Sequence, residues 1–371
     1  MLNAEQEELA TSVRRFFEST SDSGVVRALI EKPSGNDATL WRRMANELGL
    51  QGLAIPEKFG GAGVGFNFQT IVFEQMGRAS VVAPYFATIG LAASALLAAD
   101  DDNAATAYLP GIADGTITAT LAFVEDGGRW DLSENTTVAT ADGGGFRLHG
   151  HKNFVTDGAH ADVILVLGAT GDGPTVFAVE QDAAGLTRTA LDTLDLTRRQ
   201  ARLQFEDTPA VLVGASGRGT EIVTAALDVA AVALAAEQVG GAQRCLDMSV
   251  EYAKVRTQFG RKIGSFQAIK HKCADMLVAV ESARSAVYYA ASLLEDGIEG
   301  GPELGIAAAM AQAVCSEAFV EVAQETIQIH GGIGFTWEHD AHLYYRRAQA
   351  SAVLLGDAVY HRESLAQRLG F

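Results

Sequence analysis

Two short stretches hold residues suited to gripping a phosphate-bearing ligand. Arg256-Thr257-Gln258-Phe259-Gly260 offers a guanidinium whose planar fork matches a phosphate, beside an amide and an aromatic ring. Gln328-Ile329-His330-Gly331-Gly332-Ile333-Gly334-Phe335 adds a second amide and two adjacent glycines with no side chain to keep a phosphate from the backbone. A third stretch, Lys152-Asn153-Phe154-Val155-Thr156-Asp157-Gly158-Ala159, offers an aromatic wall at Phe154 and a hydroxyl at Thr156. Those two groups suit the face and rim of a flat, amphipathic ring. Plainer roles stand beside these: Arg256 as a surface ion pair, Gly331-Gly332 as a helix C-cap, Phe154 as core and Thr156 as a turn residue.

Other chemistry is poorly served. His339 and His342 have the i, i+3 spacing of helical zinc ligands, but no convergent third ligand is visible, so no metal is expected. Cys245, Cys273 and Cys315 stand far apart without a CxxC pair; no disulfide framework is expected and a reducing cytosol fits. The excess of 46 acidic over 28 basic residues, net −18, argues against a nucleic-acid partner, which needs a positive patch. The N-terminal residues are acidic and lack the basic start and apolar core of a signal peptide. The uncharged run from Ala79 to Ala99 is weakly hydrophobic for its length and contains Pro84, so it reads as a buried helix rather than a membrane span.

The elements that must position these residues change texture twice along the 371-residue chain. From Asn3 to about Leu121, Leu9, Val13, Phe16 and Phe17, then Leu40, Met44, Leu48 and Leu50, recur at helical spacing. From Thr116 to about Leu212 short apolar runs such as Val163 to Leu167 and Val176 to Val179 alternate with Asp-Gly and Gly-Asp turns, as in a β domain. Helical periodicity returns over 219–254, 265–296, 302–330 and 338–368. The expected fold class is therefore α+β: a helical domain over 1–115, a β-barrel-like domain over 116–215 and a four-helix bundle over 216–371.

With Pro56-Glu57-Lys58-Phe59-Gly60-Gly61-Ala62-Gly63, the three stretches occur in the order and on the background of the acyl-CoA dehydrogenase family, which the chain resembles over nearly its whole length. The resemblance implies FAD as cofactor and an acyl-CoA thioester as substrate. It places Phe154 and Thr156 at the flavin. It gives Arg256, Gln258, Phe259, Gln328, Gly331 and Gly332 to FAD binding across a subunit interface, and electrons would pass to an electron-transfer flavoprotein.

The resemblance fails at two places. Relatives show Thr-Glu-Pro-x-x-Gly-Ser-Asp where this chain has Val124-Glu125-Asp126-Gly127-Gly128-Arg129-Trp130-Asp131, so a hydroxyl is lost at Val124. The glutamate that takes the α-proton in relatives lies twenty positions past the Phe335 equivalent, which here is Leu355. Its alternative place in other relatives falls on Ala230, followed by Ala231 where some have Arg. Asp357, Glu237 and Glu125 are the acids near enough to substitute, and solvated or structural roles suit all three better. This pattern resembles the partner without a base in α2β2 assemblies that act on bulky acyl-CoA thioesters such as steroid side chains. A homomeric enzyme with a relocated base, and a scaffold without catalysis, are the alternatives.

Overall fold

The computed structural model describes residues 2–32, 37–128, 130, 132, 135–298 and 300–371. Asn3 opens the first helix, α1 (Ala4–Thr20), by exchanging caps with Gln6: each side chain bonds the other's backbone N–H. Helices α2 (Ser23–Ile30), α3 (Ala38–Leu48) and α4 (Phe66–Ala79) follow. Val13, Phe17, Leu40, Met44 and Leu50 from the expected apolar stripes are buried in one core. The run after Ala79 turns at Ser80 (φ 50°) and continues as a π-helical segment, Phe86–Ala93, then α5 (Ser94–Ala98). Its side chains are almost all buried, as expected of a core helix. Helix α6 (Asp102–Ala113) closes this part.

Where the two textures overlap in sequence, between Thr116 and Leu121, the chain is already turning to strand: Ala119–Ala122 is β1. It pairs in parallel with β4 (Val163–Thr170). Strands β2 (Val138–Asp142), β3 (Gly145–Thr156), β7 (Gln200–Val213) and β5 (Gly173–Glu180) continue from β4 around a closed circuit, since β5 pairs back onto β4. Closure leaves no open edge along that circuit. Strand β6 (Leu186–Ala190) flanks β7. Leu148, Phe177, Leu203 and Phe205 fill the interior.

The bundle is built on α7 (Gly219–Val255), α8 (Gln267–Ser292) and α9 (Gly301–His330). A short hairpin of β8 (Thr257–Gln258) and β9 (Arg261–Lys262) separates the first two. Helices α7 and α9 are long and apolar enough to cross a membrane by length and composition, with 78% and 67% of their apolar windows buried inside the molecule. The stretch 338–368 is not one helix. It divides into α10 (Ala341–Ser351) and α11 (Ala358–Arg368), with Leu355 at φ 63° and Gly356 at φ 105° between them. A Cβ on Gly356 would lie 2.3 Å from the Tyr360 ring, so the turn needs glycine there. Asp357 restarts the chain as the N-cap of α11 by accepting from Tyr360 N at 2.8 Å.

Candidate functional site

A cavity of about 710 Å³ opens between the β domain and the bundle. Phe123, Val124, Asn153, Phe154, Thr156, Arg198 and Gln200 line one side, and Gln349, Ala350, Val353, Leu354 and Leu355 with Asp357 and Tyr360 line the other. Leu91 of the π-helical segment also reaches it. Its size and mixed lining are those of a small-molecule or cofactor site.

A β-bulge aims Phe154 into this space. The β3–β7 register slips between Lys152 and Val155, and Phe154 sits there at φ 53° with 45% of its surface exposed. Asn153 fixes the bulge: its N–H donates to Val124 O at 2.8 Å and its Oδ1 accepts from Phe154 N at 3.0 Å. Thr156 is buried at the end of β3, its carbonyl accepting from Thr120 Oγ1 at 2.6 Å. Its own hydroxyl has no partner among the described residues and lies in the cavity wall. Phe154 and Thr156 are thus brought to one surface, an exposed ring beside an uncommitted hydroxyl, which fits a flat heterocycle. Val124 lies in the same wall as an apolar side chain; Arg129 and Asp131 of its stretch fall outside the described residues.

Leu355 faces the same cavity from the α10–α11 turn and is buried. Ala230 is wholly buried in the α7 core and lines neither this cavity nor its neighbour. Two of the acids near enough to stand in for a base are committed elsewhere. Burial would raise Glu237, but Arg198 and Arg347 outweigh it and hold the carboxylate below its usual range. Arg198 Nη2 donates at 2.6 Å and Arg347 Nε at 2.8 Å, with all three side chains buried. Glu125 is likewise drawn down to about 2, because Lys152 and Thr136 override the burial penalty. It accepts from Lys152 Nζ at 2.8 Å and from the Thr136 and Thr137 backbone. Neither carboxylate is poised to take a proton, since a base needs its pKa near the working pH. Asp357 differs: it lines the cavity, with one oxygen bound by its helix-capping bond.

Sequence reasoning missed the ionic group around Glu237, because its members are scattered along the chain. Asp195, 2% exposed, lines the cavity and accepts from Thr197 N and Oγ1 through Oδ1, while Oδ2 has no hydrogen bond. Arg198 stacks 4.8 Å above the Phe86 ring. Asp157, in a left-handed turn after Thr156, is pushed up to about 7 by burial against the pull of Arg198, Arg347 and Arg199. A run of Thr193 to Arg199 rich in charge was the available signal.

The remaining expected ligands lie elsewhere. Tyr252 stacks on His330 at 4.4 Å, so the C-terminal ends of α7 and α9 meet. Arg256 caps α7, Gln258 lies in the β8–β9 hairpin, and Phe259 at its tip is 90% exposed. Gln328 is exposed near the end of α9. Gly331, at φ 63°, and Gly332 begin the 3₁₀ turn Gly331–Phe335, and a Cβ on either would meet open space. None of these six lines the 710 Å³ cavity. Among the described residues no group of three or more His, Cys, Asp or Glu could hold a metal ion.

Comparison with known proteins agrees with this architecture. Residues 3–116, 120–208 and 217–370 match the family models of the acyl-CoA dehydrogenase N-terminal, middle and C-terminal domains in turn. Acyl-CoA dehydrogenase IpdE2 of Mycolicibacterium smegmatis is 36% identical over 355 residues, covering 96% of each chain. A variant of the Tcur3481-Tcur3483 steroid ACAD superposes with a TM-score of 0.88 at 32% identity, covering 98% of this chain and 97% of that one. The ChsE4-ChsE5 complex from Mycobacterium tuberculosis gives 0.88 at 27% identity, covering 100% and 98%. The chain belongs to the acyl-CoA dehydrogenase family and has its three-part fold, and FAD is the cofactor.

Proposed function

We propose that this chain is the subunit without a base in a heteromeric, FAD-dependent acyl-CoA dehydrogenase acting on a bulky, steroid-derived acyl-CoA thioester. One observation carries the reading: Leu355, to which the sequence resemblance assigns the place of the family's glutamate, lines the cavity wall, while Glu125 and Glu237 are held in ion pairs. α,β-Dehydrogenation needs a carboxylate within reach of the substrate's α-proton. A side chain of carbon and hydrogen cannot supply it, so the proton is taken by a partner chain at a site the two build together.

Bound FAD would supply the hydride acceptor for the β-hydrogen, with an electron-transfer flavoprotein as the expected onward acceptor. This chain's residues bind and orient. Phe154 and Thr156 present an apolar face and a hydroxyl to the flavin ring, and Arg256, Gln258, Phe259, Gln328, Gly331 and Gly332 project outward toward the FAD of a neighbouring subunit. The two-component names of the Tcur3481-Tcur3483 steroid ACAD and the ChsE4-ChsE5 complex support a heteromeric assembly, and the first supports the steroid substrate; the α2β2 stoichiometry rests on the family resemblance alone.

The test compares turnover of a steroid side-chain acyl-CoA by this chain alone, loaded with FAD, and by its complex with a dehydrogenase subunit that carries the glutamate. Turnover confined to the complex supports the reading; turnover by the isolated chain at a comparable rate overturns it. A second reading rests on Asp357, which lines the cavity and could serve as a relocated base in a homomeric enzyme. Loss of that isolated turnover in Asp357→Asn would select it.

A further inference from the structure

A second cavity, of about 290 Å³, lies where α1, the α1–α2 turn, the end of α4, α7 and the start of α10 meet, and the acyl-CoA reading makes no use of it. Arg14, Arg78 and Arg244 line it from three different helices, on a chain whose net charge is −18. None of the three has spent its donors. Arg14 gives Nε to Gln75 Oε1 at 3.0 Å, and Arg78 gives Nη1 to Asp247 at 2.5 Å. Arg244 has only Glu251 at 3.8 Å and no hydrogen bond among the described residues. A guanidinium carries five N–H donors in a fork, so most of this donor capacity remains open.

Two hydroxyls point to the same need. Ser21 and Ser80, 3% and 4% exposed, both line the cavity, and each Oγ is buried with no hydrogen-bond partner. Buried polar atoms are normally satisfied, so two orphaned hydroxyls on one small cavity call for a ligand that accepts hydrogen bonds. The acids in the lining do not fill that role. Asp22 caps α2 through Val25 N at 2.9 Å, and Asp340 holds Ser23 Oγ and Arg27 at 2.6 Å. Glu18 is the lining acid with no partner among the described residues, and it opposes an anion.

We propose that this cavity binds a small oxyanion, phosphate or carboxylate, carried on a compact organic group. Arg14, Arg78 and Arg244 supply the charge and Ser21 and Ser80 donate to the remaining oxygens. The volume is several times the roughly 30 Å³ that one water takes in the liquid, which leaves room for the carrier. The proposal does not depend on the dehydrogenase reading.

The experiment titrates the full chain calorimetrically with inorganic phosphate and, separately, with acetate, at ionic strength held constant with chloride. Saturable binding of one of them at one site per chain is expected. Arg244→Gln should weaken it at least tenfold with the melting temperature in chloride unchanged, and Glu18→Gln should tighten it severalfold. Absence of saturable binding by both anions overturns the proposal. So does equal affinity in the wild type and both variants, which would put the anion elsewhere.

Discussion

Leu355 sits in a left-handed conformation at φ 63°, which costs a branched-chain residue about 1–2 kcal/mol against an ordinary one. The turn is held by Gly356 and by Asp357 at the start of α11, and it presents an apolar side chain to the cavity. Two titrating neighbours make the site's chemistry measurable. His361 is pulled down to about 4, chiefly by burial, so the fold prefers its neutral form. Its contribution to stability is therefore complete above the ordinary histidine range and is lost as pH falls from about 6.5 toward 4. Urea midpoints measured across that window should drop in the wild type and drop less in His361→Asn. Asp157 has the opposite sign. Its carboxyl is raised to about 7, so the folded state is penalised as pH climbs from the usual carboxylate range through 7. Asp157→Asn should raise the urea midpoint relative to wild type at pH 8 and change it little at pH 4.

At the level of elements, the site depends on two local departures from regular structure. The β3 bulge turns Phe154 toward the cavity, and the α10–α11 break puts Leu355 in its opposite wall. The long core helices depend on a third feature, backbone contact between α4 and α7. A Cβ on Gly240 would lie 1.8 Å from Glu74 O, and one on Gly77 would lie 1.9 Å from Glu237 O. Gly240→Ala must push the helices apart, and we expect a loss of about 1–3 kcal/mol in chemical denaturation, as overpacked sites show. These elements were unevenly legible. The periodicities of Val13, Phe17 and Met44 and the apolar runs of β4 and β5 reveal helices and strands, because burial imposes its period on sequence. The break at Leu355-Gly356 was hidden, because residues 338–368 keep helical spacing on both sides of it and the turn rests on backbone dihedrals. The bulge at Phe154 and the clamp on Glu237 were hidden for a related reason: register and long-range pairing leave no local pattern.

At the level of the whole molecule, Glu237 ties the parts together. Arg198 comes from the segment before β7, Glu237 from α7 and Arg347 from α10, so one buried ion group locks the β domain to the bundle under the cavity. Removing one partner strands buried charge, and Glu237→Gln should cost about 3–5 kcal/mol in unfolding measured by denaturant. Phe154 and Thr156 line the cavity, while Arg256, Gln328, Gly331 and Gly332 lie outside it at the C-terminal ends of α7 and α9. On the proposed assignment of Phe154 and Thr156 to the flavin ring and the other four to the phosphates of a neighbour's FAD, the chain should purify alone with well under one FAD, read from the ~450 nm flavin absorbance per chain, and gain FAD in complex.

Without a free carboxylate at Leu355, this chain is expected to leave the substrate's α-proton in place. The most direct test follows exchange of that proton for deuterium in a steroid side-chain acyl-CoA, with the FAD-loaded chain in D₂O. No exchange above the buffer rate is expected for the wild type, and clear exchange for Leu355→Glu, which puts a carboxylate at the cavity wall. Exchange by the wild type, abolished in Asp357→Asn, would contradict it and place a base on this chain.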